Sequence, residues 1–203
     1  ANPEDYTNRG NIITPLKDRI DSQIITHYPQ SLDDAIKITE QEAWLDRGVK
    51  IHIPHFFKEI IDEVAFVARK SEFVDQSSGV SARLPISSLE NLISNIEKRG
   101  LITGDKELYP RICDLIAVIP SVTGKIELVY EGEQEGHNII AVNLVGRAIK
   151  EVFGKYFPDA KKNPTNLPTA REDNQYGDVL KYFSAGKTVE LSDESPLEDY
   201  FAT

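Results

Sequence analysis

The chain has 203 residues, enough for one generous domain or two small ones, and its 40% hydrophobic and 28% charged residues are those of an ordinary globular protein. A formal net charge of −10 argues against nucleic acid as the main partner, because phosphate binding draws on a surplus of Lys and Arg. A single cysteine excludes an internal disulfide, and no stretch is apolar enough to span a membrane, nor does the N-terminus carry a signal-peptide pattern. A cytoplasmic chain with no membrane partner is therefore expected.

In chain order, residues 31–46 open on Ser31 as an N-cap, with Asp33 and Asp34 in the first turn, and predict a helix whose apolar positions Leu32, Ala35, Ile36, Ile38 and Trp44 follow a roughly helical spacing. VKIHIP, residues 49–54, alternates as an extended piece. Residues 55–71 form a second helix with Phe56, Ile60, Val64 and Val67 along one face. A third runs from Arg83 to Arg99, with Gly100 as its stop. Tyr109–Val122 is largely apolar and predicts a central helix, with Cys113 packed in the core. KIELVYEGE alternates as a short strand, and residues 137–156 form the longest helix. KKNPTNLPTARED, residues 161–173, is a polar, proline-bearing linker. A short helix at 176–184, a strand at 187–191 and a helix start at Ser195 complete the reading.

Motifs for direct nucleotide chemistry are missing. Gly186-Lys187-Thr188 lacks the glycine that a phosphate-binding loop needs five residues earlier, where Lys181 stands, and the order of strand and helix around it is reversed. Ile60-Ile61-Asp62-Glu63 follows a helical rather than an extended period, so it is not the acidic end of a buried strand. His52 and His55 are separated by Pro54, which breaks the register that would converge them on a metal; no metal ligands are expected. The remaining acidic residues fall mostly on solvated helix faces. No G-x-S-x-G elbow supports a Ser–His–Asp triad.

Two arginines stand apart. Arg19 ends the helix-like TPLKDRI, and Arg83 lies in the first turn of a helix whose cap is Ser81. A guanidinium at the end of a helical domain suits an anion on a neighbouring domain, because it stays charged and offers a planar fork of donors.

With these residues in place the chain resembles the C-terminal part of an AAA+ ATPase of the magnesium-chelatase subunit I and MoxR-like branch. Ala1-Asn2-Pro3-Glu4 resembles the end of the family's T-x-N-P core strand, which implies that Asn2 is sensor 1, the residue orienting the attacking water. Leu16-Lys17-Asp18-Arg19-Ile20 resembles its L-x-D-R-F phrase, with Ile20 in place of Phe, and implies that Arg19 is an arginine finger acting on a neighbouring subunit's ATP. The following Gln23–His27 would be the last core strand. Gly79-Val80-Ser81-Ala82-Arg83 matches the G-x-S-x-R phrase that opens a lid helix, which implies that Arg83 is sensor 2, contacting the γ-phosphate.

The resemblance spans roughly residues 1–155. It implies a mainly α fold, a helical lid bundle carrying a short remnant of an α/β core and one or two short strands. The implied division is a core remnant at 1–29, a lid at 30–158, and a linker with a helical extension at 159–203. ATP and Mg²⁺ would be bound by the full-length protein, whose phosphate-binding loop would lie upstream of Ala1, so this chain alone should not hydrolyse ATP. Partners implied are neighbouring subunits of a homo-oligomeric ring and a von Willebrand factor A-type protein, with hydrolysis coupled to remodelling of a partner or to metal insertion. The competing expectation is a stand-alone helical interaction or adaptor domain without activity. A DNA-binding regulator is disfavoured by the acidic balance.

Overall fold

The structure is a computed structural model and describes residues 18–19, 21–22, 24–157, 176–189, 192 and 194–202. Those residues are mainly helical: α1 Leu32–Glu42, α2 His55–Arg69, α3 Leu84–Thr103, a 3-10 helix Ile112–Val118 running into α4 Ile119–Thr123, α5 Tyr130–Glu135, α6 His137–Tyr156, α7 Gly177–Ser184 and α8 Leu197–Ala202.

α1 starts where its cap predicts, with Ser31 Oγ accepting the Asp34 N–H at 3.1 Å. It ends four residues earlier than its apolar spacing suggests, because Ala43 turns extended and the next residues are tied to α3 instead. Trp44 N–H donates to Glu90 Oε1 at 3.0 Å, while Arg47 reaches the Trp44 carbonyl at 2.9 Å and Ser94 Oγ at 2.7 Å. Trp44 is consequently exposed, not buried.

α2 is the centre of the bundle. It packs against α1, α3 and α6, so its buried face is broad and includes Phe57, Ile60, Ile61, Val64, Ala65, Val67 and Ala68. The apolar segment expected as one central helix, Tyr109–Val122, packs on α3 and α6 and sends Leu115, Val118 and Val122 into the core, but it is not one helix. Proline has no N–H to donate and crowds the preceding turn, and Pro120 falls in the first turn of α4. The chain ahead of it adopts a 3-10 helix that buries Leu115 and Val118 while Ile112 and Ile116 face outward. Cys113 is only half-buried there, at the rim of a cleft.

α3 runs through Gly100 and stops at Gly104, whose φ of 75° supplies the left-handed cap. Sheet structure among the described residues is confined to two isolated bridges, Ile51 with Leu108 in parallel and Val74 with Leu128 antiparallel. The extended piece at 49–54 is thus a single bridge, and the strand expected in KIELVYEGE is one pair followed by α5. α6 matches its predicted span and buries Ile140, Ala141, Leu144, Val145, Ala148 and Val152. Neither α7 nor α8 contributes a buried residue. Residues 187–189 are not strand, and 190–191 lie outside the described residues.

The remnant of an α/β core is not supported. Residues 24–29 form no ladder, and Ile24 and Ile25 are 86% and 82% exposed. A strand needs a partner for its backbone groups, and no described segment pairs with this one. Among the described residues, no helix is long and apolar enough to cross a membrane.

Candidate functional site

The loop between Val74 and Leu84 places Arg83. Its first half is fastened by backbone bonds beside the Val74–Leu128 bridge: Asp75 N–H donates to the Glu127 carbonyl at 2.9 Å, and Val129 N–H to the Phe73 carbonyl at 3.1 Å. The Asp75 carboxylate then gathers the Ser77 N–H at 2.8 Å and the hydroxyls of Ser77 and Ser78 at 2.7 and 2.9 Å. These donors, Ser77 above all, hold its carboxyl below the usual carboxylate range.

Past this turn an exposed stretch of three residues is set between two buried ones. Val80 and Leu84 are fully enclosed, whereas Ser81, Ala82 and Arg83 between them face outward. Ser81 Oγ accepts the Arg83 N–H at 3.3 Å and the Ser81 carbonyl accepts the Leu84 N–H at 3.0 Å, so Ser81 organises the entry to the helix without being its formal cap. Arg83 itself is the N-cap residue, directly before the 20-residue α3 with its early Pro85. No carboxylate among the described residues pairs with its guanidinium. The arrangement leaves a permanently charged, planar donor group at the positive end of a long helix.

The other two residues expected to act on phosphate are placed less fully. Arg19 lies exposed in a turn with Asp18, and Asn2 lies outside the described residues. Asn2, Arg19 and Arg83 are therefore not shown together in one site. Gly186-Lys187-Thr188 follows the end of α7 instead of preceding a helix: Gly186 N–H closes on the Phe183 carbonyl at 3.0 Å, and the Lys187 ammonium stands 5.1 Å from the Tyr182 ring centroid. That position offers no helix N-terminus for phosphate.

Two buried polar groups escaped the reading of acidic residues as solvated. Asp62 on α2 is 1% exposed and accepts the Thr39 hydroxyl at 2.9 Å, while its Oδ2 has no partner. Burial pushes its carboxyl up to about 7, against the opposing pull of the Thr39 hydrogen bond and the Arg69 charge. Thr39 was the available signal, a hydroxyl on the apolar stripe of α1 beside Ala35 and Ile36.

The second group is centred on Asp114. Its Oδ1 accepts from Arg99 and, at 2.8 Å, from Asn95, and its Oδ2 accepts the Arg111 N–H at 2.6 Å. Arg99 also reaches the Tyr109 carbonyl at 2.5 Å, so the ion pair is braced on several sides. A cleft of about 280 Å³ lies over this network, rimmed by Lys98, Ile102, Cys113, Ile116 and Glu194. Arg99 continues the α3 stripe of Leu92 and Ile96, the same kind of signal as Thr39.

His52 is taken up in stacking on Tyr109, with ring centroids 4.9 Å apart. No cluster of three or more His, Cys, Asp or Glu side chains that could hold a metal ion occurs among the described residues. No protein-family model matches the chain, and neither a curated protein nor a solved structure is significantly similar to it.

Proposed function

We propose that this chain is the helical lid region of a ring-forming AAA+ ATPase of the chelatase-like and MoxR-like type, with Arg83 as the residue that contacts the γ-phosphate. The observation that carries the reading is the placement of Arg83: exposed, unpaired among the described residues, and set at the head of α3 between two buried anchors, Val80 and Leu84. Its backbone is anchored on both sides while its guanidinium is left without a partner among the described residues, so it would be available to charge that develops on a transferring phosphoryl group. Asn2 would orient the attacking water and Arg19 would act on ATP bound by the neighbouring subunit. ATP and Mg²⁺ would be gripped by a phosphate-binding loop elsewhere in the full-length protein, since this sequence has none. Hydrolysis would drive remodelling of a partner, such as a von Willebrand factor A-type protein, or metal insertion, in the cytoplasm.

The test is ATP turnover by the full-length protein. Arg83→Ala should lower it roughly a hundredfold, the scale for loss of a donor aimed at transition-state charge. Arg19→Ala should also lower it, and mixed rings that supply an intact neighbour should restore it. Turnover unchanged by Arg83→Ala overturns the reading.

A second reading, a helical interaction domain without enzymatic activity, is favoured by one observation. Ile102 and Ile116 are more than half exposed around one cleft, as a surface that receives another protein would be.

A further inference from the structure

The Arg83 loop is held by a side chain from a distant part of the sequence. Tyr28 lies just before α1, and its hydroxyl oxygen accepts the Val80 N–H at 3.1 Å. The same oxygen stands 2.8 Å from the point that a Cβ on Gly79 would occupy, and Gly79 has a φ of +73°. Residue 79 therefore combines a left-handed backbone conformation, which favours glycine, with a close approach in which a Cβ would push the phenol away. The glycine of the G-V-S-A-R stretch is explained by the phenol packed against it.

The other face of the tyrosine is equally committed. The Arg69 guanidinium, at the end of α2, lies 3.9 Å from the centroid of the Tyr28 ring. Arg69 in turn feels the charge of Asp62, seven residues earlier on the same helix. Among the described residues, the Tyr28–Val80 bond is the one hydrogen bond that ties segment 24–29 to the body beyond α1. Its neighbours Ile24 and Ile25 are almost wholly exposed, so what fixes this segment is concentrated in one side chain.

We propose that Tyr28 is a latch: it couples the segment that leads into α1 to the loop that opens α3, and thereby sets the pose of Arg83. Val80 is the buried anchor on the N-terminal side of that loop, and Arg83 follows three residues later. A displacement of segment 24–29 acts on the 79–80 peptide through the phenol and passes along three exposed residues to the guanidinium. Tyr28 is thus a positioning residue that never touches the phosphate. The consequence for Arg83 rests on the functional reading above, whereas the latch itself rests only on the contacts of Tyr28.

The experiment separates the two. In Tyr28→Phe the ring stays on Arg69 and only the acceptor for Val80 N–H is lost. Amide hydrogen exchange in the full chain should become about five- to tenfold faster at Val80, the factor expected for one lost hydrogen bond, with amides of α2 and α6 unchanged. Exchange unchanged at Val80, or accelerated throughout the bundle, overturns the latch. ATP turnover of the full-length protein forms the second arm. Tyr28→Phe should lower it less than Arg83→Ala, and the double variant should match Arg83→Ala alone, because a latch acts only through the arginine it positions. Additive losses overturn the proposed coupling. Faster exchange at Val80 with turnover indifferent to Arg83→Ala would uphold the latch and remove the phosphate role of Arg83.

Discussion

A carboxylate taken out of water with one hydroxyl for company gains by accepting a proton, and Asp62 is in that position beside Thr39. Its folded-state value of about 7 stands above the ordinary 3.8, so between those pH values the folded chain binds the proton more tightly than the unfolded chain does. Stability contributed by that proton is full below about pH 4 and is lost as the pH rises through about 7. The loss amounts to about 4 kcal/mol at most, at about 1.4 kcal/mol per unit of pKa difference. Asp62→Asn keeps the acceptor for Thr39 and cannot ionise. Denaturant unfolding should therefore show the variant gaining on the parent chain as the pH is raised from 5 to 8. A stability difference that stays constant over that range would mean that Asp62 is ionised throughout.

At the scale of elements, helix starts and spans were legible wherever a cap or an uninterrupted stripe marked them. Ser31 began α1, and the pattern over 137–156 gave α6 its full length. What the sequence could not convey was which of two glycines ends α3, because local propensity treats Gly100 and Gly104 alike. Tertiary contact decides between them. A Cβ on Gly100 would stand 2.5 Å from Leu108 Cδ2, so the absent side chain makes room for the buried Leu108, and the helix continues one more turn. The same limitation hid Asp62 and Arg99, whose partners Thr39 and Asp114 lie on other elements. It also misplaced Trp44, which Glu90 and Arg47 draw out of helical register.

Gly100→Ala should consequently destabilise the fold by about 1–3 kcal/mol through overpacking, despite the higher helix propensity of alanine. Combining it with Leu108→Ala should recover part of that loss. A coupling of about 1 kcal/mol or more in a double-mutant cycle is the expected signature, and strict additivity would show that the two do not compete for the same space. The place of Arg83 at the head of α3 was legible because a glycine, a serine and an arginine fall at fixed spacing before an apolar stripe. The contact of Tyr28 with the loop was not, since 50 residues lie between it and Gly79 and nothing local pairs them.

The whole molecule divides by burial. The continuous core runs from Ala43 to Val152 and draws on every helix from α2 to α4 and on α6. By contrast α7 and α8 bury nothing of their own. α8 and the residues before it are held at the surface chiefly through Arg111, which donates to the Ser195 carbonyl at 2.6 Å and to the Ser192 carbonyl at 3.3 Å, and lies 4.2 Å from the Tyr200 ring centroid. Leu197 N–H adds a bond to Asp105 Oδ1 at 3.2 Å. A guanidinium that grips main-chain carbonyls and one aromatic ring makes a local fastening, and such contacts count for little against a core that excludes water over many side chains. A chain ended after residue 157 should therefore unfold in one cooperative transition, with its Tm within about 4 °C of the parent, the upper end of the shift that about 1 kcal/mol produces in a domain of this size. Val152→Asp in the same shortened chain should lower stability by more than 3 kcal/mol, because it places an unpaired carboxylate in the core. Calorimetry distinguishes the outcomes. A broad, low-enthalpy transition in the shortened chain would show that the last 46 residues are integral to the bundle, whereas a sharp transition that Val152→Asp abolishes places the folding unit within the first 157.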